Sequence, residues 1–261
     1  MRNKMILWLL ALLLLPLALS GCNPRQSEPT APAIPRNQRR QEAFGVDEKG
    51  RPSYPGAVLG IDVSGHQGEI DWERVAADGV SFAILRLGYR GNTEGGLLLD
   101  ESFGRNYVAA RKAGLKLGAY FFSQAISEEE ASQEAAWVLE KLDGIELELP
   151  VFFDWEEAVN GRTGGKASSE VGAWALRFCR EIAQGGYRPG VYFSQRYGYS
   201  IMHLENLTEY AFWIAEYQEF QSFGYQTEFW QFTGKGEVDG VDVIVDMDLM
   251  YAPEVEDEKT E

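Results

Sequence analysis

The segment Val151-Phe152-Phe153-Asp154-Trp155-Glu156-Glu157 is apolar on both of its alternating faces until it reaches its first acid. A strand with one wet face alternates apolar and polar residues. A run without a polar face needs cover on both sides, as in a parallel sheet flanked by helices. The same segment ends on two carboxylates with one residue between them. Residues i and i+2 of an extended strand share a face, so Asp154 and Glu156 project together, with α-carbons about 6.5 Å apart. Two carboxylates in one site raise each other's pKa and cost stability. Acid–base chemistry uses such pairs, but the spacing alone fits equally well a strand that runs out into a solvated, acidic loop.

The rest of the chain sets this strand in a repeating pattern. Strands are expected at 57–63, 81–87, 116–122, around Asp154 and at 189–194. Amphipathic helices are expected at 70–77, 100–113, 128–142 and 168–182, with a shorter helical piece at 197–204. Asp100 and the Ser127-to-Glu130 capping box mark two helix starts, and Gly114 and Gly185-Gly186 mark two ends. Strands at 210–215, 227–232 and 241–246 then follow with little room for helices. Eight strands alternating with helices predict an α/β fold, a (β/α) barrel of TIM type with reduced helices in the last three strands. Active sites of such barrels gather at the C-terminal strand ends. Asp62, Tyr120, Asp154, Glu156, Tyr192 and Asp246 all fall at or near predicted strand ends.

Both ends of the chain read differently. Arg2 and Lys4 precede an apolar run from Met5 to Leu19, and Ser20-Gly21 supply small residues before Cys22. This is the pattern of a secretory signal, and the run is short for a membrane-spanning helix. Leu19-Ser20-Gly21-Cys22 resembles the lipobox of bacterial lipoproteins, which implies cleavage before Cys22 and a lipid on its sulfur. The expected domain plan is a signal peptide at 1–21, a lipid-anchored disordered linker at 22–55, a folded domain at 56–252 and an acidic tail at 253–261. The location that follows is extracytoplasmic, on the membrane and facing the cell wall. Net charge is −16 over the whole chain. That excess of acid argues against nucleic acid and against an anionic membrane surface as partners. The two cysteines, Cys22 and Cys179, form no zinc-spaced cluster, and no metal or cofactor is expected.

A recognisable order of motifs runs through the folded part. Gly60-Ile-Asp-Val-Ser-Gly-His-Gln-Gly68 and Ile70-Asp-Trp72 open it. Phe82-Ala-Ile-Leu-Arg86, Ala113-Gly-Leu-Lys-Leu-Gly-Ala-Tyr-Phe-Phe-Ser123 and Phe153-Asp-Trp-Glu156 follow. Gly190-Val-Tyr-Phe-Ser194, Trp213-Ile-Ala-Glu-Tyr217, Trp230-Gln-Phe-Thr233 and Val245-Asp246 close it. In this order the motifs resemble the family 25 glycoside hydrolases, lysozymes of the Chalaropsis and Cellosyl type, over residues 59–251. The resemblance implies a monomeric N-acetylmuramidase. Its substrate would be the glycan strands of peptidoglycan, cut at the β-1,4 bond between N-acetylmuramic acid and N-acetylglucosamine.

The family's catalytic acids map onto Asp62, Asp154, Glu156 and Asp246. The resemblance makes Glu156 the general acid and then base. Asp154 then acts either as nucleophile or as support for the substrate's own N-acetyl group, and Asp62 and Asp246 set the local field. Tyr120, Tyr192, Trp213 and Tyr217 are candidate substrate-binding residues, although Trp213 and Trp230 suit core packing at least as well. His66 stays outside the catalytic set, Arg86 is expected to pair with an acid of the rim, and Cys179 is a core thiol. Two departures stand out: Asp248, where the family often carries asparagine, and Glu157, expected to point away from the pair. The rival readings are a non-catalytic wall-binding lipoprotein on the same barrel and a substrate-assisted chitinase. The chitinase pattern carries a further aspartate where this chain has Phe152.

Overall fold

The computed structural model describes residues 33–252. An N-terminal arm carries a two-residue antiparallel ribbon, β1 (Gly45–Val46) with β2 (Pro52–Ser53). The sheet-and-helix alternation then begins with β3 (Val58–Val63), α1 (Trp72–Ala77), β4 (Phe82–Arg90), β5 (Leu97–Leu99) and α2 (Phe103–Lys112). It continues through β6 (Lys116–Ser123), α3 (Glu128–Lys141), β7 (Val151–Trp155), α4 (Glu170–Gln184), β8 (Pro189–Ser194) and α5 (Gln195–Ser200). The last strands are β9 (Ala211–Ala215), β10 (Phe229–Gly236) and β11 (Val245–Met250).

Eight of these strands close into a barrel in the order β3-β4-β6-β7-β8-β9-β10-β11, with β11 returning to β3. The predicted barrel with reduced helices at its end is therefore the observed one. Within it, strands β3 to β10 run parallel, whereas β11 is antiparallel to both β10 and β3. The short β5, unforeseen in the sequence, pairs antiparallel with the end of β4. Among the described residues no helix is long and apolar enough to cross a membrane.

The helices sit where local chemistry puts them. Ser127 caps α3 by accepting from the Glu130 N–H at 3.2 Å, and Glu130 reaches back to the Ile126 N–H at 3.0 Å. On α4, Val171, Trp174, Ala175, Phe178, Cys179 and Ile182 recur at helical spacing, and all are buried. The Cys179 thiol is fully buried, as expected of a core thiol, and burial pushes its pKa up.

Two expectations need correction. The eighth strand was expected at 241–246 but runs from 245 to 250, in the reverse direction. Val243 and Ile244 are exposed in the β10–β11 connection, so their β-propensity is overridden by tertiary context. Residues 33–55 are also no disordered tether. Asn37 donates to Gln221 and to the Phe223 carbonyl, and Arg51 pairs with Asp47 and Asp78. Phe44 meets Trp230 edge-on at 5.6 Å between centroids, and Tyr54 meets Tyr251 at 5.7 Å. A few aromatic anchors hold a segment whose average composition reads as unfolded. The signal peptide, Cys22 and the acidic tail lie outside the described residues.

Inside the barrel, side chains from alternate positions form a second core, separate from the one under the helices. Phe152 points inward, while Phe153 and Trp155 point outward against the helices. Phe82, Phe152 and Phe229 plug the lower end, with Phe229 at 5.7 Å from Phe82 and 5.3 Å from Phe152. Gly60 and Gly190 make room for these rings. A methyl at Gly190 would lie 2.5 Å from the Phe152 ring and 3.0 Å from the Ala211 carbonyl. Gly190→Ala should therefore lower unfolding stability by about 1–3 kcal/mol through overpacking. Gly104→Ala, exposed on α2 with open space around it, should leave stability unchanged or slightly raised. Chemical denaturation of the two variants checks the contrast.

Candidate active site

The upper end of the barrel opens into a cleft of about 340 Å³. Its lining includes Asp62, Asp154, Glu156 and Asp246 together with Tyr120, Tyr192, Trp213 and Tyr217. All eight residues expected at the site are thus brought to one place. The strand directions explain how. Asp62 and Asp154 stand near the C-terminal ends of parallel strands, and Glu156 lies one residue beyond β7. Asp246 is the second residue of β11, and because that strand runs the other way it pairs directly with Asp62.

Glu156 is positioned through its backbone. Its carbonyl accepts from Gln124 Nε2 at 2.7 Å and from Thr163 Oγ1 at 3.3 Å, and Thr163 also donates to Gln124 Oε1 at 3.0 Å. Gln124 and Thr163 are both fully buried. Arg162 ties the same loop to the Gln124 carbonyl and to Glu130. Glu157 accepts from the Gly165 N–H at 2.6 Å and is absent from the cleft lining, so it does turn away from the pair.

The acids differ in exposure and in partners. Asp62 and Asp154 are 5% and 7% exposed, Asp246 is half-buried, and the Glu156 side chain reaches solvent at the cleft mouth. Burial first, then the charges of Asp248 and Asp246, hold Asp62 well above the usual carboxylate range. Burial and the neighbouring Glu156 do the same to Asp154, against the pull of Arg86. Glu156, although open to water on one side, is lifted by the concave protein walls around it and by Asp246. Burial also lifts Asp246. Asp154 Oδ1 is buried and accepts no hydrogen bond from any side chain or backbone group among the described residues.

Neutral groups do most of the holding. Gln231 donates Nε2 to Asp62 Oδ2 at 2.7 Å, and its Oε1 accepts from Tyr192 at 2.9 Å and Tyr217 at 3.0 Å. Sequence reasoning passed over Gln231, although it lies in the Trp230-Gln-Phe-Thr233 motif. An amide at an inward position of a buried strand was the available signal. Trp213 is 1% exposed, lies 4.6 Å from the Tyr192 ring, and donates its indole N–H to Asp248 at 2.8 Å. It forms the floor under the tyrosines, and its ring has no free face for a sugar. Trp230 is core, donating to the Glu216 carbonyl. Arg86 pairs not with an acid of the rim, as expected, but with Asp100 at 2.7 Å, which lies outside the cleft lining. A bulge after Arg86, where β4 slips register against β6, sets it at the rim. His66 lines the cleft but makes no contact with the four acids among the described hydrogen bonds.

A closed barrel with a carboxyl-rich, tyrosine-walled cleft at the ends of its parallel strands defines a (β/α)-barrel protein with its cleft where such barrels carry their active sites. Residues 61–241 match the profile of Glycosyl hydrolases family 25, and the chain belongs to that family. It is 32% identical over 200 residues to YegX, an uncharacterized protein of Escherichia coli O6:H1, covering 74% of this chain and 69% of YegX. It is 29% identical over 210 residues to Lysozyme M1 of Streptomyces globisporus, covering 75% of this chain and 68% of that one. Its fold is similar to that of the modular autolysin LytC of Streptococcus pneumoniae in complex with a synthetic peptidoglycan ligand. That match has a TM-score of 0.67 at 21% identity and covers 84% of this chain. The chain spans only 52% of the LytC chain.

The raised acids fix a sign for stability against pH. Unfolded, these carboxyls lose their protons near about pH 4; folded, they keep them to higher pH. The folded state then binds more protons in that window, so stability falls as pH rises through it. Asp100 works the other way: burial is outweighed by the Ser102 and Gly65 donors and by Arg86, which lower its pKa, so its contribution disappears below about pH 4. Asp154→Asn should therefore flatten the decline of melting temperature between about pH 4.5 and 7 relative to the unaltered protein. A thermal melt series across that range checks it; an equal or steeper decline in the variant contradicts the assignment.

Proposed function

We propose that this protein is a peptidoglycan hydrolase of the lysozyme type, cutting the β-1,4 bond between N-acetylmuramic acid and N-acetylglucosamine. The observation that carries this reading is the gathering of four carboxyls with unequal surroundings on one barrel rim. Glycoside cleavage needs one protonated acid at the leaving oxygen and negative charge near the oxocarbenium-like centre. Glu156 suits the acid role, because it reaches the open cleft, and burial and Asp246 favour its protonated form. It protonates the departing oxygen and then, as carboxylate, takes a proton from the incoming water.

Asp154, deeper on the same face, suits the role of the negative charge. Its Oδ1 accepts nothing from the described residues and is free to accept an N-acetyl N–H from the substrate or to attack the sugar carbon. Asp62 and Asp246 shape the field around them. Tyr120, Tyr192 and Tyr217 offer rings and hydroxyls to a glycan strand, with Tyr217 the exposed one at 59%. The family match and the likeness to Lysozyme M1 support a wall glycan as substrate, and the ligand of LytC points the same way. A lipid on Cys22, which the lipobox-like Leu19-Ser20-Gly21-Cys22 supports, would hold the enzyme on the outer face of the cell membrane, toward the wall.

Purified peptidoglycan should be cleaved to fragments with reducing N-acetylmuramic acid ends, and chitin should be spared. Glu156→Gln, which keeps shape but cannot cycle a proton, should lose activity by about two to four orders of magnitude. Reducing-end assays on the folded variant decide this. Near-normal turnover by Glu156→Gln would remove Glu156 from its role, and cleavage of chitin in place of wall would replace the substrate. For the anchor, Cys22→Ala should move the protein from the membrane to the soluble fraction of its host cell.

A further inference from the structure

A second cavity, of about 480 Å³, opens beside the acidic cleft, between the β4–β5 hairpin and the start of α2. Arg86 lines both cavities, and Gly65 of this one lies between Ser64 and His66 of the other. The two hollows therefore adjoin along the loop after β3. Their chemistry differs. The cleft presents four acids, whereas the second cavity presents two arginines and open aliphatic carbon. Leu98 and Leu99 of β5 are 46% and 48% exposed, and Tyr89 stands opposite Leu98 in the β4–β5 pairing. Adjacent leucines left open at the edge of a cavity suit contact with the apolar groups of a ligand.

The arginines are set to meet an anion. Asp100 engages Arg86 Nε at 2.7 Å, and the guanidinium lies 5.1 Å from the centre of the Tyr89 ring. The two terminal nitrogens of Arg86 donate to no group among the described residues, and neither is buried. They are the open end of a fork that matches a carboxylate. Asp100 does not compete for that end. Its Oδ2 takes Arg86 Nε and the Gly65 N–H, and its Oδ1 takes the N–H and hydroxyl of Ser102. Arg105, exposed on α2, donates to the Gly68 carbonyl at 2.7 Å and lies 3.5 Å from the exposed Glu69.

A larger groove, which meets the cleft at Tyr217, offers the opposite chemistry. Glu219, Glu237 and Asp242 line it and make no ion pair among the described residues, while its Lys49 and Arg51 are engaged by Asp47 and Asp78. A ligand in the cleft that carries carboxylates on a branch is therefore drawn to the Arg86 side and turned away from the other. Peptidoglycan has such a branch. Each N-acetylmuramic acid bears on its lactyl group a short peptide with small side chains and free carboxylates. We propose that the second cavity is a binding site for this peptide stem, with Arg86 and Arg105 meeting its carboxylates and Leu98 and Leu99 its apolar side chains.

This inference rests on the reading of the cleft as a muramidase site, and its test reads binding apart from turnover. The Glu156→Gln protein is titrated by calorimetry with synthetic tetrasaccharides of the wall repeat. One carries full stems, one carries stems with amidated carboxyls, and one carries only methylamides on its lactyl groups. Full stems should bind about tenfold tighter than methylamides, and amidation should remove most of that gain. With Leu98→Ser and Arg105→Ala added together, both at exposed positions, the gain should fall to about twofold or less. Equal affinity for full stems and methylamides, amidation without effect, an unchanged gain in the variant, or no binding of any probe overturns the proposal. Turnover by the unaltered protein is scored separately. A protein that prefers full stems but leaves peptidoglycan uncut keeps the stem site and loses the proposed reaction. One that cuts peptidoglycan but binds all three probes alike keeps the reaction and loses the stem site.

Discussion

The crowding of like charges at one end of the barrel is the constraint on which the rest of this structure depends. Asp62, Asp154 and Asp248 are all buried, with Asp246 and Glu156 close enough to raise their neighbours' pKa values. No lysine lines the cleft among the described residues, and its one arginine is already paired. In a low-dielectric interior such a group cannot carry a full complement of charges. The protein's answer is to keep protons and to supply neutral donors: one indole, one amide and, through the amide, two phenols. Held protons are what an acid catalyst needs. The electrostatic penalty and the chemistry therefore have the same origin.

Arg86 shows how finely this balance is kept. Its charge lowers the pKa of both Asp154 and Tyr120, and a direct ion pair with Asp154 would strip the site of its proton-holding character. Asp100 prevents that by engaging Arg86 Nε at 2.7 Å while it also accepts from the Gly65 N–H at 2.9 Å and the Ser102 hydroxyl at 2.6 Å. One acid outside the cleft thus anchors the loop after β3, the approach to α2 and the guanidinium at the rim. The residue expected to be a simple helix cap is the tie between three elements.

Much of this was legible in the sequence, for identifiable reasons. The inward pairing of Asp154 and Glu156 follows from strand periodicity, and the parallel barrel follows from apolar runs separated by helical ones. What was not legible depends on partners distant in sequence. The reversal of β11 leaves no trace in a string of Val, Ile, Met and Asp residues, yet it sets Asp246 opposite Asp62. Gln231 reads as one polar residue in an aromatic strand until Tyr192, Tyr217 and Asp62 are seen around it. Trp213 suits a sugar platform by residue type; its burial beneath Tyr120 and Tyr192 makes it a floor. Composition failed most clearly for residues 33–55, where an average over prolines and charges hid Phe44 and Tyr54.

That arm also covers a gap in the barrel's outer layer. Strands β9 to β11 follow one another without helices between them, so outward aromatic residues such as Trp230 and Phe232 lack the cover that α2 to α4 give the earlier strands. Phe44 packs on Trp230, and the rings of Trp230 and Phe232 lie 5.7 Å apart. Tyr54 packs on Tyr251, and Arg39 stacks on the same ring at 3.6 Å while donating to the Thr227 carbonyl. The arm does for this sector what a helix does elsewhere: it removes apolar surface from water, at the entropic cost of ordering some twenty residues. It lies before the family-matched residues 61–241 and braces the strands that carry Gln231, Asp246 and Asp248. The geometry of the acid cluster is therefore supported from outside the barrel by a segment whose composition alone would exclude it from the fold.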